Sequence, residues 1–175
     1  MNSTIRAMEE RRSIRAFKAD SVPKELLEQI VEAGLFAASG MGKQSAAIIA
    51  VTQKEQRDKL AEDNRKIGGW KEGFDPFYGA PVILIVLGNK AVPTHVYDGS
   101  LVMGNLMLAA HSLGLGSIWI HRAKEEFETD EYKDLLKKLG AEGEWEGIGH
   151  CAVGYMQGEF PEAAPRKDGR VFWVE

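Results

Sequence analysis

Residues 81–87 read Pro81-Val82-Ile83-Leu84-Ile85-Val86-Leu87, an uninterrupted apolar run. A strand with one solvated face alternates apolar and polar residues, whereas this run is apolar on both faces. It therefore predicts a central strand that protein covers on both sides. Other short apolar runs predict further strands, at residues 47–51, 114–120, 148–155 and 171–174.

Helical patterns alternate with these strands. Pro23 suits the first turn of a helix whose apolar stripe reaches Leu35, residues 54–65 predict a solvated helix, and residues 127–139 predict an amphipathic one. Residues 97–113 are apolar nearly all round, so that helix must be covered by protein on every side. In a small chain such cover often means a subunit interface.

Two segments are interpreted as loops or extended chain. Glycines and a proline in residues 68–76 end the solvated helix in a loop, and the aromatic residues of this loop form either a lid over a pocket or a small packed loop. Residues 161–170 are extended and could carry the last strand across to a partner chain. The aromatic residues of the loop are Trp70, Phe74, Phe77 and Tyr78.

Composition narrows the classes of function. The 175 residues fit one domain, residues 1–175, and carry a net charge of −4, which argues against a general nucleic-acid binder. Cys151 is the only cysteine, no N-terminal apolar stretch resembles a signal peptide, and no run is long enough to cross a membrane. We therefore expect a cytoplasmic protein that does not bind membranes. The histidines lack metal-ligand spacing, so no metal site is predicted, and Cys151 is interpreted as a buried structural thiol.

A cationic cluster stands near the start of the chain, where Arg11, Arg12 and Arg15 surround Ser13. Guanidinium groups and a hydroxyl can saturate the oxygens of a phosphate with charge-assisted hydrogen bonds. Arginines also commonly lie on solvated surfaces, so the cluster alone does not decide between the two interpretations.

The order and spacing of five segments resemble the nitroreductase family of flavin mononucleotide (FMN) proteins over almost the whole chain. The resemblance implies an α+β fold with a central mixed or antiparallel sheet flanked by helices, in an intertwined homodimer with two interfacial FMN sites. The five segments are Arg11-Arg12-Ser13-Ile14-Arg15-Ala16-Phe17, Ala38-Ser39-Gly40-Met41-Gly42-Lys43-Gln44-Ser45, Gly79-Ala80-Pro81-Val82, residues 105–122 and Pro165-Arg166-Lys167.

The resemblance assigns the FMN phosphate to two distant cationic segments. In the family the phosphate lies against the first segment and a basic pair near the C-terminus, here Arg166 and Lys167. Arg11 and Ser13 would bind the phosphate, with Arg12 on the phosphate and ribityl chain. Arg15 would lie near the N1 and C2 carbonyl edge of the flavin, where a cation favours the reduced anion; the alternative for Arg15 is a surface ion pair. These assignments are expectations from the resemblance.

The second segment matches a family loop that the partner subunit contributes to the flavin ring and ribityl hydroxyls. Glycines let backbone approach a flat ring closely, but Gly42 replaces an asparagine of the family pattern and can offer only backbone. A simpler alternative makes Ser39 and Gly40 the C-terminal cap of the preceding helix. The residues assigned to the flavin here are Ala38, Ser39, Gly40, Met41 and Gln44.

Residues 119–122 occupy the place of a P-x-E-G segment whose backbone N–H groups reach flavin N5 and O4 in the family. Trp119, Ile120, His121 and Arg122 are thus candidates by position rather than by side chain. A backbone donor at N5 prepares that atom for hydride transfer. His121 could equally be an ordinary surface residue.

The resemblance implies an oxidoreductase that transfers hydride from NADH or NADPH through flavin N5 to a small electron-poor acceptor, such as a nitroaromatic compound or a quinone. The reaction would be ping-pong and would need no catalytic side chain, with the protein supplying position and charge. Two alternatives stay open. One is a related flavin enzyme for enone reduction, dehalogenation or flavin breakdown, and the other is a flavin-binding sensor or carrier with little turnover.

Overall fold

The computed structural model describes residues 2–175, whose helices and strands alternate along the chain. In chain order they are α1 (Ser3–Glu10), α2 (Lys24–Leu35), a 3₁₀ turn (Gly40–Gly42), β1 (Ala46–Val51), α3 (Lys54–Gly68), β2 (Val82–Asn89), α4 (His95–Ser112), β3 (Gly116–Ile120), α5 (Ala123–Phe127), α6 (Asp130–Lys138) and β4 (Trp145–Gly154).

The four strands form one antiparallel sheet in the order β1-β2-β4-β3. Strand β2 lies inside the sheet and is buried from Val82 to Gly88. The predicted central strand and the α+β class with an antiparallel sheet are confirmed. In the register of β4, His150 lies opposite Ile85 on one side and Ile120 on the other.

Side chains of β2 alternate between two cores, one on each face of the sheet. Ile83, Ile85 and Leu87 face a core that α3, α5 and α6 cover, whereas Leu84 and Val86 face the core under α2 and α4. All five are at most 1% exposed. Burial on both sides explains why residues 82–88 of this strand carry no polar side chain, because either face would leave a polar group without water.

Two predicted elements differ from the structure. The predicted helix of residues 127–139 corresponds to α6 but begins three residues later, at Asp130, because α5 ends at Phe127 and Thr129, in extended conformation, caps α6. The Thr129 hydroxyl donates to the Glu126 carbonyl, which marks the break. The predicted terminal strand at residues 171–174 has no counterpart within this chain, and its pairing with a partner chain stays a prediction. The segment is exposed and pairs with no strand of residues 2–175, and an isolated strand lacks the neighbour that its backbone groups need.

Helix α4 is covered on only part of its circumference. Met103 and Leu106 are fully buried, but Tyr97 is 72% and Leu101 is 51% exposed, and no atom approaches the position of a β-carbon at Gly104. The expected cover on every side is therefore incomplete within this chain.

No helix in residues 2–175 combines the length and the apolar character that crossing a membrane would require.

Candidate functional site

The cationic segment lies beside strand β3. After α1 ends, Ser13 forms a parallel bridge with Ser117, and the Ile14 amide donates to the Ser117 carbonyl at 3.0 Å. Ile14 is 2% exposed and anchors the segment in the core. Because β3 leads directly into residues 119–122, the structure brings the first and the fourth predicted site segments together.

Several polar donors in these two segments are buried without a partner. Arg11 Nη1, Arg12 Nε and Trp119 Nε1 have no hydrogen-bond acceptor among the described residues, although Arg12 Nη1 donates to the Glu9 carbonyl at 2.6 Å. Buried donors are normally paired because an unmade hydrogen bond is costly. Two unsatisfied guanidinium N–H groups beside Ser13 fit an anionic group such as the phosphate of FMN.

The other predicted cations lie apart from this cluster. Arg15 is exposed and takes part in no ion pair within residues 2–175, which gives no support to the surface-pair alternative. Arg166 and Lys167 are exposed on the extended tail, where Arg166 donates to the Ala164 carbonyl at 2.7 Å. No hydrogen bond or ion pair of the described chain joins the tail cations to Arg11, so their phosphate role stays a prediction.

The Gly40 loop, residues 38–44, is held by a buried carboxylate. Asp98 of α4 accepts hydrogen bonds from the Gly40 amide at 2.9 Å, the Ser45 hydroxyl at 2.6 Å and the Thr94 hydroxyl at 3.0 Å. The hydrogen bond from Ser45, followed by those from Gly40 and Thr94, lowers the pKa of Asp98 despite the opposing effect of burial. Sequence reasoning missed Asp98, although an acidic residue in a nearly all-apolar helix was a visible signal.

Backbone strain marks the same regions. Non-glycine residues with positive φ in the described chain are Met41 (52°), Gln44 (47°), Tyr78 (53°) and Arg122 (85°). Such residues are uncommon and cluster at functional sites, and all but Tyr78 lie in predicted flavin segments. The alternative role of Ser39 and Gly40 as a helix cap is wrong, because Phe36 caps α2.

Within one chain the Gly40 loop and the cationic cluster meet α4 at different levels. Asp98 holds the loop near the start of the helix, while the Ser117 hydroxyl reaches the Met107 carbonyl near its end. At a rise of about 1.5 Å per residue, these two points lie about 14 Å apart along the helix axis. The structure does not bring the second site segment to the first.

The turn of residues 120–122 rests on a buried polar network that sequence reasoning missed. Asn64 Nδ2 donates to the His121 carbonyl and to Glu126 Oε1, both at 2.8 Å, and Glu126 Oε2 lies 2.7 Å from His150 Nε2. Asn64, Glu126 and His150 are all 0% exposed, whereas the side chains of His121 and Arg122 are exposed. Four elements, α3, α5, β3 and β4, thus converge beneath the turn.

The aromatic loop before β2 is packed rather than open. Phe77 is 0% exposed, Trp70 and Phe74 have ring centroids 5.5 Å apart, and Arg57 donates to the Ala80 carbonyl at 2.9 Å while pairing with Asp75. The structure therefore favours the interpretation as a packed loop over that of a lid.

Two further side-chain predictions concern reactive groups. Cys151 is fully buried, and burial raises the pKa of its thiol to about 12, as expected for a structural cysteine. Within residues 2–175, no three side chains of histidine, cysteine, aspartate or glutamate are placed to hold a metal ion.

Comparison with known proteins identifies relatives of this chain. The family model described as the nitroreductase family matches residues 8–155. A nitroreductase with bound FMN from Bacteroides fragilis NCTC 9343 superposes with a TM-score of 0.91 at 27% identity, and the match covers 100% of both chains. A nitroreductase with bound FMN from Desulfitobacterium hafniense DCB-2 gives a TM-score of 0.88 at 27% identity with the same coverage.

A curated relative is longer than the present chain. The NAD(P)H FMN reductase of Bacillus subtilis is 29% identical over 140 residues, which are 67% of this chain and 53% of that protein. The chain thus spans about half the length of this relative.

Proposed function

Because the chain belongs to the nitroreductase family, we propose that it is an FMN-dependent oxidoreductase that uses NADH or NADPH to reduce a small electron-poor acceptor. Bound FMN would supply the hydride chemistry. Its N5 atom would be the site that carries hydride between the nicotinamide donor and the acceptor, a nitroaromatic compound or a quinone. The observation that carries the proposal is the pair of unsatisfied buried guanidinium donors on Arg11 and Arg12 beside Ser13.

The first contribution of the protein is to bind the cofactor phosphate. Arg11 and Ser13 would bind the phosphate oxygens, Arg12 would bind the phosphate and ribityl chain, and either Arg166 or Lys167 would complete the charge. A dianion held by several charge-assisted hydrogen bonds is anchored strongly even in a chain with net negative charge. The position of the ring then follows from where the phosphate is fixed.

The second contribution is to present backbone N–H groups and charge to the ring. Residues 119–122 would offer N–H donors to the N5 and O4 edge, and Arg15 would stabilise negative charge at the opposite edge. Arg15 is exposed and has no carboxylate partner within residues 2–175, so its charge is available for that role. No side chain acts as a general acid in this proposal, because solvent can deliver protons in an open cleft.

The third contribution comes from a second copy of the chain. No hydrogen bond joins the Gly40 loop to the cationic cluster within residues 2–175, and, as the family resemblance implies, a homodimer would supply the loop from the partner subunit. The exposed apolar residues Tyr97 and Leu101 on α4, together with Phe172 and Trp173 of the tail, are surfaces that such a dimer would bury.

The test is a visible absorption spectrum of the purified protein, followed by anaerobic addition of NADH and then NADPH. We expect oxidised flavin bands near about 370 and 450 nm that bleach with a nicotinamide and return when a quinone or nitroaromatic compound is added. Flavin bands that persist with both donors would indicate a sensor or carrier instead. A chain that binds no FMN even when FMN is added would overturn the proposal.

A further inference from the structure

Arg122 adopts a backbone conformation that suits glycine. Its φ of 85° and ψ of 0° lie in the left-handed region, where the β-carbon of an L-residue crowds the following carbonyl. For an ordinary residue this costs about a 5- to 30-fold loss of population relative to the right-handed region. Some other part of the structure must therefore hold the turn.

Local contacts on the surface are too weak for that task. Arg122 pairs with Glu125 at 2.9 Å, but both side chains are about two-fifths exposed. Exposed ion pairs contribute little because water and salt screen them. The hydrogen bond from the Glu126 amide to the Arg122 carbonyl, at 3.0 Å, begins α5 but does not reach the residue before Arg122.

The buried network beneath the turn reaches that preceding residue. The Asn64 amide group donates one hydrogen bond to the His121 carbonyl and another to Glu126, and Glu126 in turn contacts His150 on the central part of the sheet. Because all three side chains are shielded from water, their hydrogen bonds have no solvent competitor. The peptide between His121 and Arg122 is thus tied to α3 and β4.

Close packing prevents the turn from relaxing on its other side. A β-carbon at Gly147 would lie 2.1 Å from the Ala123 carbonyl oxygen, so the start of α5 rests directly on the backbone of β4. The chain therefore cannot shift α5 toward the sheet to relieve Arg122. The network and this contact enclose the turn from both sides.

We propose that Asn64, Glu126 and His150 are positioning residues that hold the turn at Arg122 in its left-handed conformation and so fix the backbone N–H groups offered to the flavin. The part concerning flavin rests on the proposed function. The part concerning the turn depends only on the contacts of this chain. None of the three side chains is exposed, so each would act through the turn rather than by touching a ligand.

A double-mutant cycle tests the proposal. Asn64→Ala removes the hydrogen bond to the turn, and Arg122→Gly removes the need for it, because glycine adopts positive φ without the steric penalty. The two single variants and the double variant of the full chain are compared by urea unfolding without FMN and by FMN titration, at one fixed protein concentration. We expect Asn64→Ala to weaken FMN binding about tenfold or more, and less than about threefold in the Arg122→Gly background.

Matched controls separate positioning from general stability. Tyr132→Phe removes a 2.8 Å hydrogen bond to Asp63, the neighbour of Asn64 on α3, and should lower stability without changing the FMN dissociation constant. Arg122→Ala removes the guanidinium but keeps a β-carbon, so it should not reproduce the effect of Arg122→Gly. If Asn64→Ala fails to fold, Asn64→Leu, which removes the amide donors at a similar volume, takes its place in the cycle.

The two measurements, urea unfolding and FMN titration, distinguish three outcomes. Equal effects of Asn64→Ala in both Arg122 backgrounds, in unfolding and in FMN binding, would overturn the proposal. Coupling in unfolding without any FMN binding would support the role in holding the turn while rejecting the proposed function. Coupling in both measurements supports the two together.

Discussion

The carboxylate of Asp98 accepts a hydrogen bond from the backbone amide of Gly40 at 2.9 Å, across 58 positions of sequence. A residue buried in helix α4 therefore fixes the conformation of the loop that follows α2. The loop contains two non-glycine residues with positive φ, Met41 and Gln44, and it would not keep that shape without tertiary contacts.

Asp98→Ala is expected to destabilise the protein by about 3 kcal/mol, because it leaves the donors of Gly40, Ser45 and Thr94 without their charged acceptor. Asp98→Asn keeps one acceptor and should cost less. Urea unfolding measures the stability of both variants, and Asp134→Asn is the control because Asp134 is exposed on α6. Equal stability of Asp98→Ala and the native chain would contradict the assigned role of this carboxylate.

The stabilisation by Asp98 should depend on pH in a defined direction. Its pKa is lowered in the folded state, so the folded state binds the proton less readily than the unfolded state, whose aspartate pKa is about 3.9. The contribution is present above about pH 4 and is lost as pH falls through the folded pKa. The difference in unfolding free energy between the native chain and Asp98→Asn should therefore be constant near neutral pH and shrink in acid. A difference that grows in acid would reverse the sign and reject the explanation.

The double substitution Arg11→Ala with Ser13→Ala should weaken FMN binding by at least about tenfold, because charge-assisted hydrogen bonds to a phosphate contribute about 1.5–3 kcal/mol each. Flavin retained after dialysis and FMN titration measure the loss. Arg6→Ala, an exposed cation on α1, is the matched control. Full flavin occupancy in the double variant would remove the phosphate assignment.

Leu101→Glu should convert the proposed homodimer to monomer, since an unpaired carboxylate would have to be buried at the interface. Sedimentation analysis detects the change, and loss of bound FMN should accompany it because the Gly40 loop would come from the partner subunit. Leu139→Glu, at a residue that is 56% exposed against 51% for Leu101, supplies the control. A Leu101→Glu protein that remains dimeric and retains flavin would place the interface elsewhere.

Periodicity predicted the sheet well because β2 has to be apolar on both faces. It placed the start of α6 three residues too early, because Phe127, the first apolar residue of the predicted helix, belongs to α5. It also predicted a strand at residues 171–174, where the apolar composition suits a strand but residues 2–175 offer no neighbouring strand. A local sequence pattern indicates only that a segment favours extended backbone, whereas a stable strand also needs a neighbouring strand for its hydrogen bonds.

The residues of the candidate site were likewise predicted only in part from the sequence. The cationic segment was singled out by its charge, whereas residues 119–122 came from the family resemblance, and the structure joins the two segments through Ser13 and Ser117. Their binding of a cofactor stays a prediction. Sequence reasoning missed Asp98, Asn64 and Glu126. Asp98 and Asn64 each hydrogen-bond to a backbone group more than 55 positions away, and Glu126 acts through Asn64.

From the amino-acid sequence alone, the apolar period determined the central strand, and the order and spacing of five segments determined the family. The resemblance to that family implied the α+β class and the candidate cofactor segments. The tertiary structure decided which of those segments meet and which backbone conformations they hold. The physical reason is that a left-handed residue such as Arg122 is unfavourable locally and persists only when buried hydrogen bonds from distant elements hold it.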